Sequence, residues 1–201
     1  MNSDTMGGNA GEKKLSWKES VKLYLHDLVI YVSIILIVFL LIFRVIVVSG
    51  DSMYSTLLDG DYLLLVSNLF YKRPEQGDIV VISKESFDDG APIVKRIIAT
   101  EGQIVDIDFE SGVVYVDGIP QDEPYTNTPT NREEGMAFPI LVEKDCYFVL
   151  GDNRNSSRDS RYPGIGQIDR REILGKAIFL ILPGTDEGLT ERDFGRIGAI
   201  K

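Results

Sequence analysis

Ser52, in Ser49-Gly50-Asp51-Ser52-Met53, and Lys95, in Pro92-Ile93-Val94-Lys95-Arg96-Ile97-Ile98-Ala99, are two side chains that could together carry out acyl transfer. A serine hydroxyl is a weak nucleophile until a neighbouring base takes its proton. The chain has one histidine, His26, at the edge of an apolar run, and one cysteine, Cys146. A histidine-dependent site would need His26, and a zinc site of the usual His/Cys kind is nearly excluded. The available bases narrow to Lys, Asp or Glu. Read as a strand, Lys95 shares a face with Ile93, Ile97 and Ala99. Desolvation on such a face disfavours the ammonium. A base working near neutrality needs a drop of ~3 units from ~10.4, at about 4 kcal/mol. Taken singly, each segment has a plainer reading. Ser52 could be a linker serine just beyond the apolar run, and Lys95 a surface lysine with its amine in water.

A third polar segment, Gly151-Asp152-Asn153-Arg154-Asn155-Ser156-Ser157-Arg158-Asp159-Ser160-Arg161, directly follows the strand-like Cys146-Tyr147-Phe148-Val149-Leu150. Asp159 and Arg161 could pair and brace it. Ser156, Ser157 or Ser160 could hydrogen-bond near an active-site amine. By composition alone it could equally be a solvated loop. Cys146, inside the apolar run, reads as a small buried hydrophobe rather than a nucleophile.

The three segments, in order and behind one apolar stretch, resemble bacterial type I signal peptidase, a Ser/Lys endopeptidase family. The likeness spans the anchor and nearly all of residues 43–182. It rests on GDSM-x-x-TL-x-x-GD (50–61), GDIVV (77–81), VKRIIATEGQ (94–103) and GDNRNSSRDSR (151–161). The resemblance implies Ser52 as nucleophile, Lys95 as general base and Ser157 as the serine that orients the lysine. It implies Asp159 and Arg161 as a bracing ion pair, Met53 in the substrate cleft, and mainly structural roles for Arg96 and Asp152. It implies no cofactor and no metal. The expected partners are signal peptides of secreted precursors and a lipid bilayer. Two positions depart from the family pattern. Ser55 stands where proline is common, and Gly50 stands where some members carry an oxyanion-donating serine. The oxyanion would then rely on backbone N–H groups in the Gly50 region, that of Ser52 above all. A self-cleaving Ser/Lys repressor is the nearest rival enzyme, but the anchor and the lack of a DNA-binding segment speak against it. A membrane-tethered β-domain that only binds partners is the rival of another class.

These residues need elements to hold them. Leu28 to Phe43 carries no charge and is apolar on every face, which predicts a membrane helix over 27–48, with Arg44 reaching back to the interface. Lys13, Lys14, Lys18 and Lys22 precede it, so the N-terminal segment 1–26 is expected in the cytoplasm and 49–201 outside, in a single-pass protein of the cell membrane. Ser16 and Glu19 have capping-box spacing, and residues 1–12 read as disordered. Beyond the anchor, Val- and Ile-rich runs predict strands over 62–67, 78–83, 93–99, 104–109, 113–116, 146–150 and 177–182, with turns at Ser111-Gly112 and Asp117-Gly118 and a long loop over 121–139. The expected fold is mostly β, with a smaller β excursion over 103–145. Tail 186–201 carries no readable chemistry. Acidic residues outnumber basic ones 31 to 21 with no basic stripe, which argues against nucleic acid as a partner.

Overall fold

The computed structural model describes residues 16–185 and 191–200. The disorder expected over 1–12 and part of the 186–201 tail lie outside these residues. Helix α1 spans Trp17–Ile42, and none of its residues is buried. It starts where the Ser16 and Glu19 spacing suggests, with the Ser16 N–H donating to the Glu19 carboxylate at 2.8 Å. At ~1.5 Å per residue the helix is ~39 Å long, more than a bilayer core requires. The Ser33 hydroxyl returns to the Val29 carbonyl at 2.7 Å, so this polar group is satisfied within the helix.

The helix does not continue to residue 48. Phe43–Val47 form a strand, β1, paired antiparallel with β2 (Tyr62–Ser67), Phe43 opposite Val66 and Val47 opposite Tyr62. Val45, Ile46 and Val47 are β-branched and fit a pleated ladder better than a helix. The apolar composition that suggested a helix does not separate these two outcomes.

Further strands are β3 (Ile79–Ile82), β4 (Ile93–Thr100), β5 (Ile104–Asp108), β6 (Val113–Val116), β7 (Ile119–Pro120), β8 (Ile140–Leu141), β9 (Cys146–Leu150), β10 (Ile168–Asp169), β11 (Ile173–Leu182) and β12 (Gly198–Ala199). The larger antiparallel sheet runs β1-β2-β11-β3-β4-β9-β10, with β12 on β11, and the smaller runs β7-β6-β5-β8. The chain is thus mostly β behind one apolar N-terminal helix.

Period-two alternation divides β3 between two cores. Ile79 and Val81 pack with Val48, Met53, Leu57, Leu63 and Leu65, while Val80 and Ile82 pack with Ile97, Val149, Ile165 and Ile173. A third core joins the sheets, with Ile98, Phe148 and Leu150 of the larger meeting Val105, Ile107, Val114 and Val116 of the smaller. Asp117 (φ 52°) and Gly118 (φ 76°) are both left-handed, as a tight primed hairpin turn requires. β4 is buried from Val94 to Ala99, so Lys95 lies within a strand that is covered on both faces.

Candidate active site

Ser52 lies half-buried in the turn that follows Val48, and Lys95 comes from the middle of β4 with 3% of its surface exposed. Lys95 Nζ sits 2.7 Å from Ser52 Oγ and 3.0 Å from the Val94 carbonyl oxygen. Burial pushes the Lys95 amine down to about 8. The carboxylates of Asp159, Asp152 and Asp51 pull it back up, and the Arg161 guanidinium pushes it down.

The other buried charges in the domain are paired. Arg96 meets Asp152, Arg154 meets Glu123, Arg161 meets Asp159, Arg196 meets Asp61, and Lys176 meets Asp78. Among the described residues Lys95 has no carboxylate within ion-pair reach. It is the buried cation that gives up least by becoming neutral, and its hydrogen-bonded neighbour is a hydroxyl.

The 151–161 loop holds both halves of the pair. Asp159 and Arg161 meet in a two-pronged contact at 2.8 Å each. Asp159 also accepts from the Gly151 N–H at 3.0 Å, and Arg161 donates to the Arg154 carbonyl at 2.7 Å. The Asn153 N–H donates to the Ser52 carbonyl at 3.1 Å, its side-chain amide to the Asp51 carbonyl at 3.1 Å, and Ser156 Oγ to Asp51 at 3.1 Å. Asp152 links the Ser52 turn to the Lys95 strand. It accepts from Thr56 Oγ1 at 2.6 Å and from Arg96 at 2.9 and 2.7 Å. Gly151 is where loop and turn touch. A Cβ there would overlap the Ser157 side chain and the Ser52 carbonyl oxygen.

Three residues singled out in the sequence take unexpected places. The Gly50 N–H donates to Asp59 at 2.7 Å, so it is not free for an oxyanion. The Ser52 N–H makes no hydrogen bond among the described residues. Met53 is 1% exposed and packs in the core beneath the turn, not in an open cleft. Ser157 Oγ is buried without a hydrogen-bond partner, and Lys95 turns to Ser52 and Val94 instead. His26 Nδ1 lies 3.3 Å from Asp27 Oδ1 of its own helix, and burial pushes the Cys146 thiol's pKa up.

Sequence reasoning missed Arg196. Its guanidinium meets the fully buried Asp61 at 2.9 and 2.7 Å and the Thr56 carbonyl at 3.4 Å. Asp61 in turn accepts from the Leu58 N–H at 2.8 Å, so the tail grips the far end of the Ser52 turn. β12 pairs with β11 and brings Arg196 into reach. A lone arginine before a short apolar segment is a weak signal, and its partner lies 135 residues away.

Residues 21–182 match the family model described as "Signal peptidase, peptidase S26". Signal peptidase I of Bacillus licheniformis is 32% identical over 182 residues, covering 86% of this chain and 94% of that protein. Signal peptidase I S of Bacillus subtilis is 33% identical over 180 residues, covering 85% and 94%. A crystal structure of a signal peptidase I from Enterococcus faecalis aligns with TM-score 0.42 at 28% identity, covering 52% of this chain and 97% of that one.

Proposed function

The chain belongs to the signal peptidase family, peptidase S26, and we propose that it is a membrane-tethered endopeptidase that removes signal peptides with a Ser52/Lys95 dyad. The observation that carries this reading is the 2.7 Å contact between Ser52 Oγ and a buried Lys95 that has no carboxylate in ion-pair reach among the described residues.

Neutral Lys95 takes the Ser52 proton as Oγ bonds to the scissile carbonyl carbon. The developing oxyanion is met by backbone donors, with the Ser52 N–H as first candidate. As the C–N bond breaks, the lysine ammonium returns the proton to the leaving amine. Lys95 then deprotonates a water, which attacks the acyl-Ser52 ester and frees the new carboxylate. Asp159 and Arg161 hold the loop that positions the dyad, and Ser157 stands ready to receive the lysine amine when it leaves Ser52. The substrate is an exported precursor with small residues at the first and third positions before the cut, bound extended against a strand edge. Helix α1 anchors the protein in the membrane, and the lysines before it favour a cytoplasmic N-terminus.

The test is cleavage of a purified precursor by the full chain in detergent. Wild type should cleave, and Ser52→Ala and Lys95→Ala should each abolish cleavage while circular dichroism stays unchanged. Normal turnover by Lys95→Ala overturns the dyad. Failure of the wild type to cleave any precursor favours a tethered binding domain instead.

A further inference from the structure

The smaller sheet holds neither Ser52 nor Lys95, yet the loop between its strands β7 and β8 brings a side chain onto the charges around them. Tyr125 is half-buried, and the Arg96 guanidinium carbon stands 3.9 Å from the centre of its ring. Arg96 spends its N–H groups on Asp152, through Nε and Nη2, and on the Gly77 carbonyl, through Nη1 at 2.9 Å. The ring covers the flat face of the guanidinium, which cannot donate a hydrogen bond but is attracted by an aromatic ring.

Tyr125 is fixed in this place. Its hydroxyl donates to Glu123 at 2.9 Å, and Thr126 folds back on the Glu123 carbonyl through its N–H at 3.1 Å and its hydroxyl at 2.9 Å. Arg154, 1% exposed, grips Glu123 with two contacts of 2.6 Å each and donates to Thr130 of the same loop at 2.8 Å. The Thr130 N–H donates to the Gly112 carbonyl at 2.9 Å, in the hairpin between β5 and β6. Contacts therefore run without a break from the smaller sheet through Glu123 and Tyr125 to Arg96, and from Arg96 to Asp152.

We propose that Tyr125 is a positioning residue, whose ring holds the Arg96 guanidinium on Asp152, shields the pair from water and so keeps the Asp152 carboxylate from turning toward Lys95. The proposal rests on the reading of Ser52 and Lys95 as nucleophile and base. Losing the ring has two consequences of one sign. Asp152, less neutralised by Arg96, pulls harder on the Lys95 ammonium, and water reaching Arg96 lessens the desolvation that disfavours that ammonium. Both raise the pKa of Lys95. The charges acting on Lys95 are Asp159, Asp152, Arg161 and Asp51. Those facing Tyr125 are Glu123, Arg154 and Arg96. Burial and the Glu123 carboxylate push the Tyr125 hydroxyl far above its ordinary range, so its own titration does not enter the profile.

The test is kcat/KM against pH for the full chain in detergent, with a quenched-fluorescence peptide that has small residues before the cut. Tyr125→Ala should move the acidic limb up by roughly half a pH unit or more, lowering the rate at pH 7 at least about threefold while the rate near about pH 9.5 is almost kept. Tyr125→Phe retains the ring face and should keep the limb in place. Tyr125→Leu fills the space without an aromatic face, serves where alanine does not fold, and should move the limb in the same direction. In an Arg96→Met background Tyr125→Ala should add no shift, because the ring acts through Arg96. The proposal is overturned by an unmoved limb in a folded Tyr125→Ala or Tyr125→Leu enzyme, including one whose activity drops equally at every pH. It is also overturned if Tyr125→Phe moves the limb as far as Tyr125→Ala, or if the full shift recurs in the Arg96→Met background. A wild type without a limb near about 8, or normal turnover by Lys95→Ala, sinks the Ser52/Lys95 reading itself. A wild-type limb near about 8 that the Tyr125 variants leave in place sinks the positioning role alone.

Discussion

If Lys95 is the base, its protonation must switch the enzyme off, and the pH at which this happens is set by the structure. With the amine at about 8, about a tenth of the enzyme carries a neutral lysine at pH 7 and about nine-tenths at pH 9. The kcat/KM for a quenched-fluorescence peptide with small residues before the cut should therefore rise about tenfold between these values, and fall about tenfold per unit below pH 7. Asp51 is exposed and pulls the Lys95 amine upward. Asp51→Asn should shift the limb to lower pH and raise the rate at pH 7. The same shift appears in stability. The folded-state value lies below the ordinary one, so between about 8 and 10.5 the unfolded chain binds the extra proton and stability rises with pH. Below pH 8 both states are protonated and the full penalty remains, on the order of 3 kcal/mol. Lys95→Met should be inactive yet more stable than wild type at pH 7 by up to that amount, an advantage that disappears above pH 10.5. Denaturant unfolding in detergent at pH 7 and 10 reads it. A limb centred below pH 6, no limb at all, or a Lys95→Met variant less stable at pH 7 would refute the reasoning.

Gly151→Ala should cut kcat by at least tenfold, because its methyl overlaps the Ser52 carbonyl and the Ser157 side chain. Steady-state kinetics with covalent titration of Ser52 separates a displaced nucleophile from a lost fold. Arg196→Ala leaves Asp61 buried and unpaired, and should destabilise the domain by about 3–5 kcal/mol, with Arg196→Lys recovering part of that. Thermal unfolding of the three proteins side by side checks it.

Much of this was legible in the sequence because the decisive residues sit in short segments whose types restrict one another. A lone His26 and a lone Cys146 left few bases for Ser52, and the Val- and Ile-rich strand around Lys95 implied burial. What was not legible depends on distance along the chain. Phe43–Val47 continue an apolar run, and only pairing with Tyr62–Val66 makes them a strand rather than the end of a helix. The Gly50 N–H is taken by Asp59 through a turn that no motif specifies. Met53 lies under the turn because Leu57, Leu63 and Leu65 close around it, which spacing alone does not show. Asp61 and Arg196 meet only because β12 folds back onto β11.

The arrangement of buried charge bears on whether Lys95 could serve as a base. Burying an ammonium is expensive unless an anion compensates it. A full compensating anion would hold Lys95 charged and useless as a base. Here the nearby carboxylates are committed elsewhere. Asp152 is held by Arg96 and Thr56, and Asp159 by Arg161 and the Gly151 N–H. They still pull Lys95 upward at a distance, but neither forms an ion pair with it. The amine is therefore held at about 8 rather than at the ordinary 10.5, without an acidic contact to lock its proton. Arg96 and Arg161 thus act on Lys95 by occupying its would-be counter-ions. Replacing either arginine with a neutral residue should release a carboxylate toward Lys95, raise its pKa and move the acidic limb to higher pH. Arg96→Met is the sharper test, because Arg96 is not itself among the groups pushing Lys95 down. An acidic limb that stays near pH 8 in a folded Arg96→Met enzyme would show that Arg96 does not act on Lys95 through Asp152.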